Sequence, residues 1–243
     1  MTTNELFTID AEPLRLPNWN DRFVFLYSGG DFENGPVHDL LDAYTDAFAA
    51  TDPVVLVLRI EEEGDGRGEQ TGHRVKAFHS SSQSPRLMYI PEPMEAPDRA
   101  KLFARVARLG AFAHFHRNDE WDPDVVEAVA CGCRIGLTAY GSLARLFTPL
   151  RSVDSAVVGV GFTEPRCAQM GNYVVPEVSE IRRWMLETVA AAWSERSMAL
   201  AAELGGQLLE RCDHRKVREA PGSYRGPLVR KGDGVTIHRG EFI

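Results

Sequence analysis

A chain of 243 residues suffices for one large domain or two small ones, and a compact fold of that size buries roughly 70% of its unfolded surface without disulfide or metal staples. A composition of 44% hydrophobic, 26% charged and 9% aromatic residues excludes a disordered chain, a collagen and a coiled-coil rod. Lys and Arg total 27 against 35 Asp and Glu, a formal net charge of -8. With no obvious clustering of the basic residues, that balance argues against nucleic acid or an anionic membrane as partner.

The amino terminus lacks the basic-then-apolar pattern of a signal peptide. The apolar runs at 53–58 and 156–162 fall far short of the roughly 20 residues that span a bilayer. Four cysteines (Cys131, Cys133, Cys167 and Cys212) are too few in so long a chain to suggest a disulfide framework. The expectation is a cytoplasmic protein with no membrane span.

In chain order, residues 1–20 carry Pro13 and Pro17 without sustained periodicity and read as a lead-in. Phe23 to Tyr27 is a buried strand stopped by a glycine turn at Ser28, Gly29 and Gly30. Val37, Leu40, Leu41, Tyr44 and Phe48 then fall at helical spacing behind Pro36. Residues 53–60 form a strand of near-continuous apolar character, the kind covered by helices on both faces. A glycine-rich polar loop fills 61–71. Val75 to Phe78 reads as helix, Leu87 to Ile90 as strand, and Asp98 to Leu109 as a helix with Leu102, Val106 and Leu109 inward. Ala111 to Phe115 is a strand, Val125 to Ala130 a helix and Arg134 to Thr138 a strand. Residues 176–209 read as one or two long helices with Ile181, Met185, Val189 and Trp193 on one stripe, and the tail is basic and poorly patterned.

This alternation predicts an α/β fold, a parallel sheet with helices on both faces. Ligands of such sheets bind at the carboxyl ends of the strands, beside helix N-termini. Gly29 and Gly30 occupy such an end, where they serve either as a tight turn or as a place where a ligand approaches the backbone. Asp119, Glu120, Asp122, Asp124 and Glu127 place five carboxylates within nine residues after another strand. They read either as an acidic helix start favoured by the macrodipole or as acceptors for vicinal hydroxyls such as those of a ribose. Glu127, set among Val126, Ala128, Val129 and Ala130, is out of place as a surface residue. His114 and His116 share a strand face but lack a third ligand at a telling distance, so no metal site is expected.

Residues 25–35 (FLYSGGDFENG) and 119–132 (DEWDPDVVEAVACG) together resemble the donor-binding half of a family 4 glycosyltransferase with the GT-B fold. The resemblance runs with gaps from about Phe23 to Gln207, and its most specific mark is the Glu-Ala-x-Ala-Cys-Gly run at 127–132. It implies a Rossmann-like donor domain over 21–212, with the lead-in before it and a tail at 213–243. It also implies a nucleotide-diphosphate sugar as donor substrate and no further cofactor. In the family's pattern Glu127 holds the nucleotide ribose, Asp119, eight residues earlier, contacts the sugar, and Gly29 and Gly30 approach the phosphates. Glu120, Trp121 and Asp122 then lie along the donor.

Two departures qualify the resemblance. Glu33 and Asn34 stand where the family carries a basic pair facing the diphosphate, and a charge-assisted hydrogen bond of the kind such a pair makes is worth about 1.5–3 kcal/mol. Arg59, Arg67, Arg74 and Arg117 are the candidates to replace that charge, Arg117 being the one nearest the acidic loop. The first strand also begins about 20 residues into the chain, where the second half of a GT-B enzyme begins. The implied function is hexosyl transfer with a separate partner supplying the acceptor domain; the alternative is a catalytically inactive binding or assembly subunit.

Overall fold

The computed structural model describes residues 3–15, 21–29, 37–60, 78, 84–90, 94–115, 122–139, 145, 157–160, 166–168, 171–173, 175–191 and 194–211. Helix α1 spans Thr3–Leu6, strand β1 Phe23–Gly29, α2 Val37–Ala47, β2 Val54–Ile60 and β3 Leu87–Ile90. There follow α3 (Ala96–Arg108), β4 (Gly110–His114), α4 (Pro123–Ala130), β5 (Ile135–Thr138) and β6 (Val157–Val160). Last come β7 (Arg166–Ala168), β8 (Gly171–Tyr173), α5 (Val178–Ala190) and α6 (Glu195–Arg211). Of these, α1, β6 and the antiparallel β7–β8 pair have no counterpart in the sequence reading.

Strands β1 to β6 form one parallel sheet in the order β3-β2-β1-β4-β5-β6. This is the Rossmann order, and the chain changes direction across the sheet between β1 and β4. A parallel sheet needs cover on both sides, and the two-residue alternation of each strand divides the core accordingly. Val24, Leu26, Val55, Val57 and Phe112 point to one face, under α1, α3, α4 and α6. Phe23, Phe25, Tyr27, Val54, Leu56 and Leu58 point to the other, under α2 and α5.

Helix ends explain two boundaries. Asp122 caps α4, its carboxylate accepting the Asp124 N–H at 2.9 Å, with Pro123 following at the first position. Helix α4 ends in a Schellman turn: Gly132 N–H donates to Val129 O at 2.8 Å and Cys133 N–H to Ala128 O at 3.0 Å, with Gly132 at φ 84°. The left-handed φ makes glycine the natural residue there.

Four expectations need correction. Leu109 is not inward; it caps α3 at 39% exposure, while Leu102, Phe103 and Val106 fill the core. On α5, Val189 turns outward at 36%, because a 3.6-residue period places Trp184 and Thr188, not Val189, beside Ile181 and Met185. Trp193 lies outside the described residues. The lead-in contributes to the core, since Phe7 is buried against Phe103 at 6.1 Å and Leu14 N–H donates to Lys101 O at 2.8 Å. Finally, β1 does not stop at Tyr27: Ser28 and Gly29 stay in the ladder, in register with Arg59 and Ile60. A Cβ on Gly29 would lie 2.7 Å from the Tyr27 hydroxyl, so Tyr27 packs directly over this glycine.

Candidate functional site

The carboxyl ends of β1, β2 and β4 bring together a buried set of charged groups. Ser28 and Arg59 are the penultimate residues of adjacent parallel strands and are paired in register, so their side chains emerge on the same face. The Arg59 guanidinium donates to Ser28 Oγ and to Asp124 Oδ2, and Ser28 Oγ donates to the same Asp124 oxygen. Residues Ser28, Arg59 and Asp124 are 1%, 5% and 8% exposed, so the triad is withdrawn from solvent. An arginine closing an otherwise apolar strand needs such a partner, because an isolated buried charge is prohibitively costly.

One turn further along α4, Glu127 is 5% exposed. Arg99, from α3, grips it with two bonds, Nε to Oε2 and Nη2 to Oε1, each 3.0 Å. Arg99 Nη1 donates to Met94 O at 3.1 Å, its Nε lies 3.6 Å from Asp124 Oδ1, and its guanidinium carbon stands 5.6 Å from the centre of the Phe7 ring. Arg99 thus links the two carboxylates. Burial pushes the Glu127 carboxyl up to about 7, against the pull of Arg99.

Asp122 faces His114, the last residue of β4, with Nδ1 3.3 Å from Oδ2. The imidazole stacks on Phe112 at 6.3 Å and 12°. Burial, reinforced by the negative charge of Asp124, pushes Asp122 up to about 7, while the Asp124 N–H, Arg59 and Arg99 act the other way. Two carboxyls that titrate near neutrality, a histidine and two arginines therefore share one buried cluster.

Of the sequence-derived site residues, Glu127 and Asp122 join this cluster and Gly29 ends the strand beside it. Gly30, Arg117, Asp119, Glu120 and Trp121 lie outside the described residues, as do Glu33, Asn34 and His116. Of the candidate cations Arg59 reaches the end of β1, while Arg67 and Arg74, like Arg117, lie outside the described residues. Arg99 was not singled out by the sequence, and Asp124 stood there only as one of five carboxylates. Among the described residues no group of three or more His, Cys, Asp or Glu is arranged to hold a metal ion, and no helix is long and apolar enough to cross a membrane. A cavity of about 520 Å³, lined by Glu12, Leu14, Arg15, Arg105 and Leu109 among others, opens at the amino ends of the strands, away from these groups.

Similarity to solved structures places the fold. The C-terminal domain of a glycosyl transferase group 1 family protein (LpcC) from Francisella tularensis superposes with a TM-score of 0.56 at 10% identity, over 88% of this chain and 98% of that one. Sucrose-phosphate synthase from Thermosynechococcus elongatus gives 0.56 at 13% identity over 90% of this chain and 51% of its own. Anabaena Alr3699/HepE, solved in complex with UDP and glucose, gives 0.54 at 13% over 84% and 50%. The chain thus has the Rossmann-like α/β fold of GT-B glycosyltransferase C-terminal domains, and it spans about half the length of the two longer structures. No protein-family model and no curated protein matches the sequence.

Proposed function

We propose that the chain is a nucleotide-sugar-binding domain of the family 4 GT-B type, and that it supports hexosyl transfer when a partner supplies the acceptor-binding half. The observation that carries this reading is Arg59 beside Ser28 at the end of β1. It brings a cation to the strand end in the absence of the family's basic pair, beside the point where the sheet order reverses. Glu127 is the acceptor for ribose hydroxyls and Asp119 the carboxylate beside the sugar. Gly29 and Gly30 approach the phosphates, and Glu120, Trp121, Asp122 and Arg117 complete the lining.

A second reading, a binding or assembly subunit without transfer chemistry, draws on a different observation: Arg59 and Arg99 are already matched by Asp124 and Glu127. Calorimetric titration with UDP, GDP and their sugar conjugates separates the two. The donor reading expects micromolar binding that disappears in Glu127→Ala. Absence of binding to every one of these nucleotides removes it and leaves the second.

A further inference from the structure

The lead-in is tied to α3 by Leu14 N–H donating to Lys101 O at 2.8 Å, and beside that tie the two segments line a cavity of about 520 Å³. Small-ligand sites typically occupy about 300–1,000 Å³. The lining sets the guanidiniums of Arg15, Arg105 and Arg108 against one carboxylate, Glu12, with Leu14 and Leu109 adding apolar wall. In a chain of net charge -8 this is a local excess of positive charge. Arg105 is committed to the fold: only 6% exposed, it donates through Nη1 to Leu109 O at 3.3 Å and through Nη2 to Arg22 O at 3.0 Å. Those carbonyls accept its hydrogen bonds without neutralising it, and the charge that acts on it most, Asp21, is not part of the lining. Arg15 and Arg108 are exposed, and neither has an ion pair among the described residues. The α3 macrodipole favours arginine at 105 and 108, in the last turn. It does not account for Arg15, which comes from the lead-in, or for Leu109 standing 39% exposed in the same concavity.

We propose that this cavity is a binding site for a phosphate monoester carrying a small apolar group. A guanidinium meets phosphate oxygens with paired hydrogen bonds, so a dianion with three terminal oxygens can engage two arginines on separate segments at once. A carboxylate offers one charge and two oxygens, fewer than Arg15 and Arg108 together can use. Leu14 and Leu109 receive the apolar group. Glu12 opposes the anion, and its charge limits the affinity. The cavity lies where Leu109 O accepts the Val24 N–H, at the start of β1, whereas Arg59 and Ser28 stand at the far ends of their strands. The proposal therefore stands or falls independently of the donor reading.

Calorimetric titration of the full chain with phenyl phosphate tests this at about pH 8, where a phosphate monoester is a dianion. Inorganic phosphate and benzoate serve as partial probes. Phenyl phosphate should bind saturably and at least tenfold more tightly than either. Arg15→Glu combined with Arg108→Glu should abolish that binding while the thermal transition persists, since both side chains are exposed. Glu12→Gln should tighten it severalfold by removing a like charge. Absence of saturable phenyl phosphate binding overturns the proposal, as does binding that survives the double reversal. Should the double variant fail to fold, Glu12→Gln decides, and unchanged affinity there overturns the proposal equally. Benzoate binding as tightly as phenyl phosphate overturns the assignment to a phosphate. Vesicles of phosphatidylcholine and phosphatidic acid separate the two sources of such an ester. Cosedimentation that the double reversal abolishes assigns the site to a lipid headgroup; phenyl phosphate binding without cosedimentation assigns it to a soluble ester.

Discussion

Arg99 and Glu127, 28 residues apart in the chain, meet edge to edge with both carboxylate oxygens engaged by one guanidinium at 3.0 Å. This pair ties α3 to α4 and fixes the rotamer of the acid that the donor reading assigns to ribose. Removing one member of a buried ion pair typically costs about 3–5 kcal/mol, because the other charge is left stranded. Arg99→Met should therefore destabilise strongly, and Glu127→Gln added to it should restore part of the loss. Urea unfolding of the two single variants and the double closes the cycle, with a coupling of about 1–3 kcal/mol expected. Strict additivity would mean that the pair contributes nothing to stability.

Asp122 gives a pH signature of definite sign. Its carboxyl is pushed up to about 7 by burial and by the neighbouring Asp124 charge, so over the window from about 4 to about 7 the folded chain holds a proton that the unfolded chain releases. Stability contributed through this group consequently falls as pH rises across that window, by at most about 1.4 kcal/mol per pH unit. Asp122→Asn keeps a capping side chain but removes the titration. The difference in unfolding free energy, wild type minus Asp122→Asn, should decline by about 1–3 kcal/mol between pH 4.5 and pH 7.5. A difference that stays flat or rises would show that Asp122 is ionised throughout in the folded chain.

The strand core was legible because parallel strands buried on both faces are written as unbroken apolar runs, as residues 23–27 and 54–58 are. Glu127 was legible for the complementary reason, a charge set among residues that must be buried. Arg99 was not, since it sits on an amphipathic helix where arginine is ordinary, and its partner is chosen by how α3 packs beside α4. His114, at the end of β4, and Asp122, at the start of α4, likewise meet only in the fold. The three-residue strands β7 and β8 are too short to carry a period. Leu109 and Val189 were misplaced because one apolar residue at a helix end cannot distinguish the last buried turn from the first exposed one.

The thiols of Cys131 and Cys133 should be inert in the native protein. Both are buried, Cys133 donating to Phe103 O at 3.2 Å; burial pushes Cys131 up to about 12 and Cys133 well above the ordinary thiol range. Since only the thiolate reacts, alkylation at pH 8 should spare both sites until the fold opens. Peptide-resolved mass spectrometry after iodoacetamide treatment across a urea series would show labelling at 131 and 133 rising with global unfolding. Rapid labelling without denaturant would reveal a local opening of the seam between α3 and α4.

Two adjacent glycines of α6 should respond to alanine in opposite ways. At Gly205 a Cβ would stand 2.2 Å from the backbone nitrogen of Ala130, so α6 lies directly on α4, the helix that presents Asp124 and Glu127. Backbone cannot yield as a flexible side chain can, and overpacking of this kind costs about 1–3 kcal/mol or more. Gly205→Ala must push α6 away from α4 and should lower Tm by several degrees. At Gly206 nothing among the described residues lies within 4 Å of the added carbon. There alanine improves helix propensity and should stabilise by about 0.5–1 kcal/mol. Thermal unfolding of the two variants side by side checks the crossing directly: equal effects would mean that α6 does not sit on α4 at Gly205. If nucleotide binding weakens in Gly205→Ala but not in Gly206→Ala, the placement of α4 by α6 reaches the site itself.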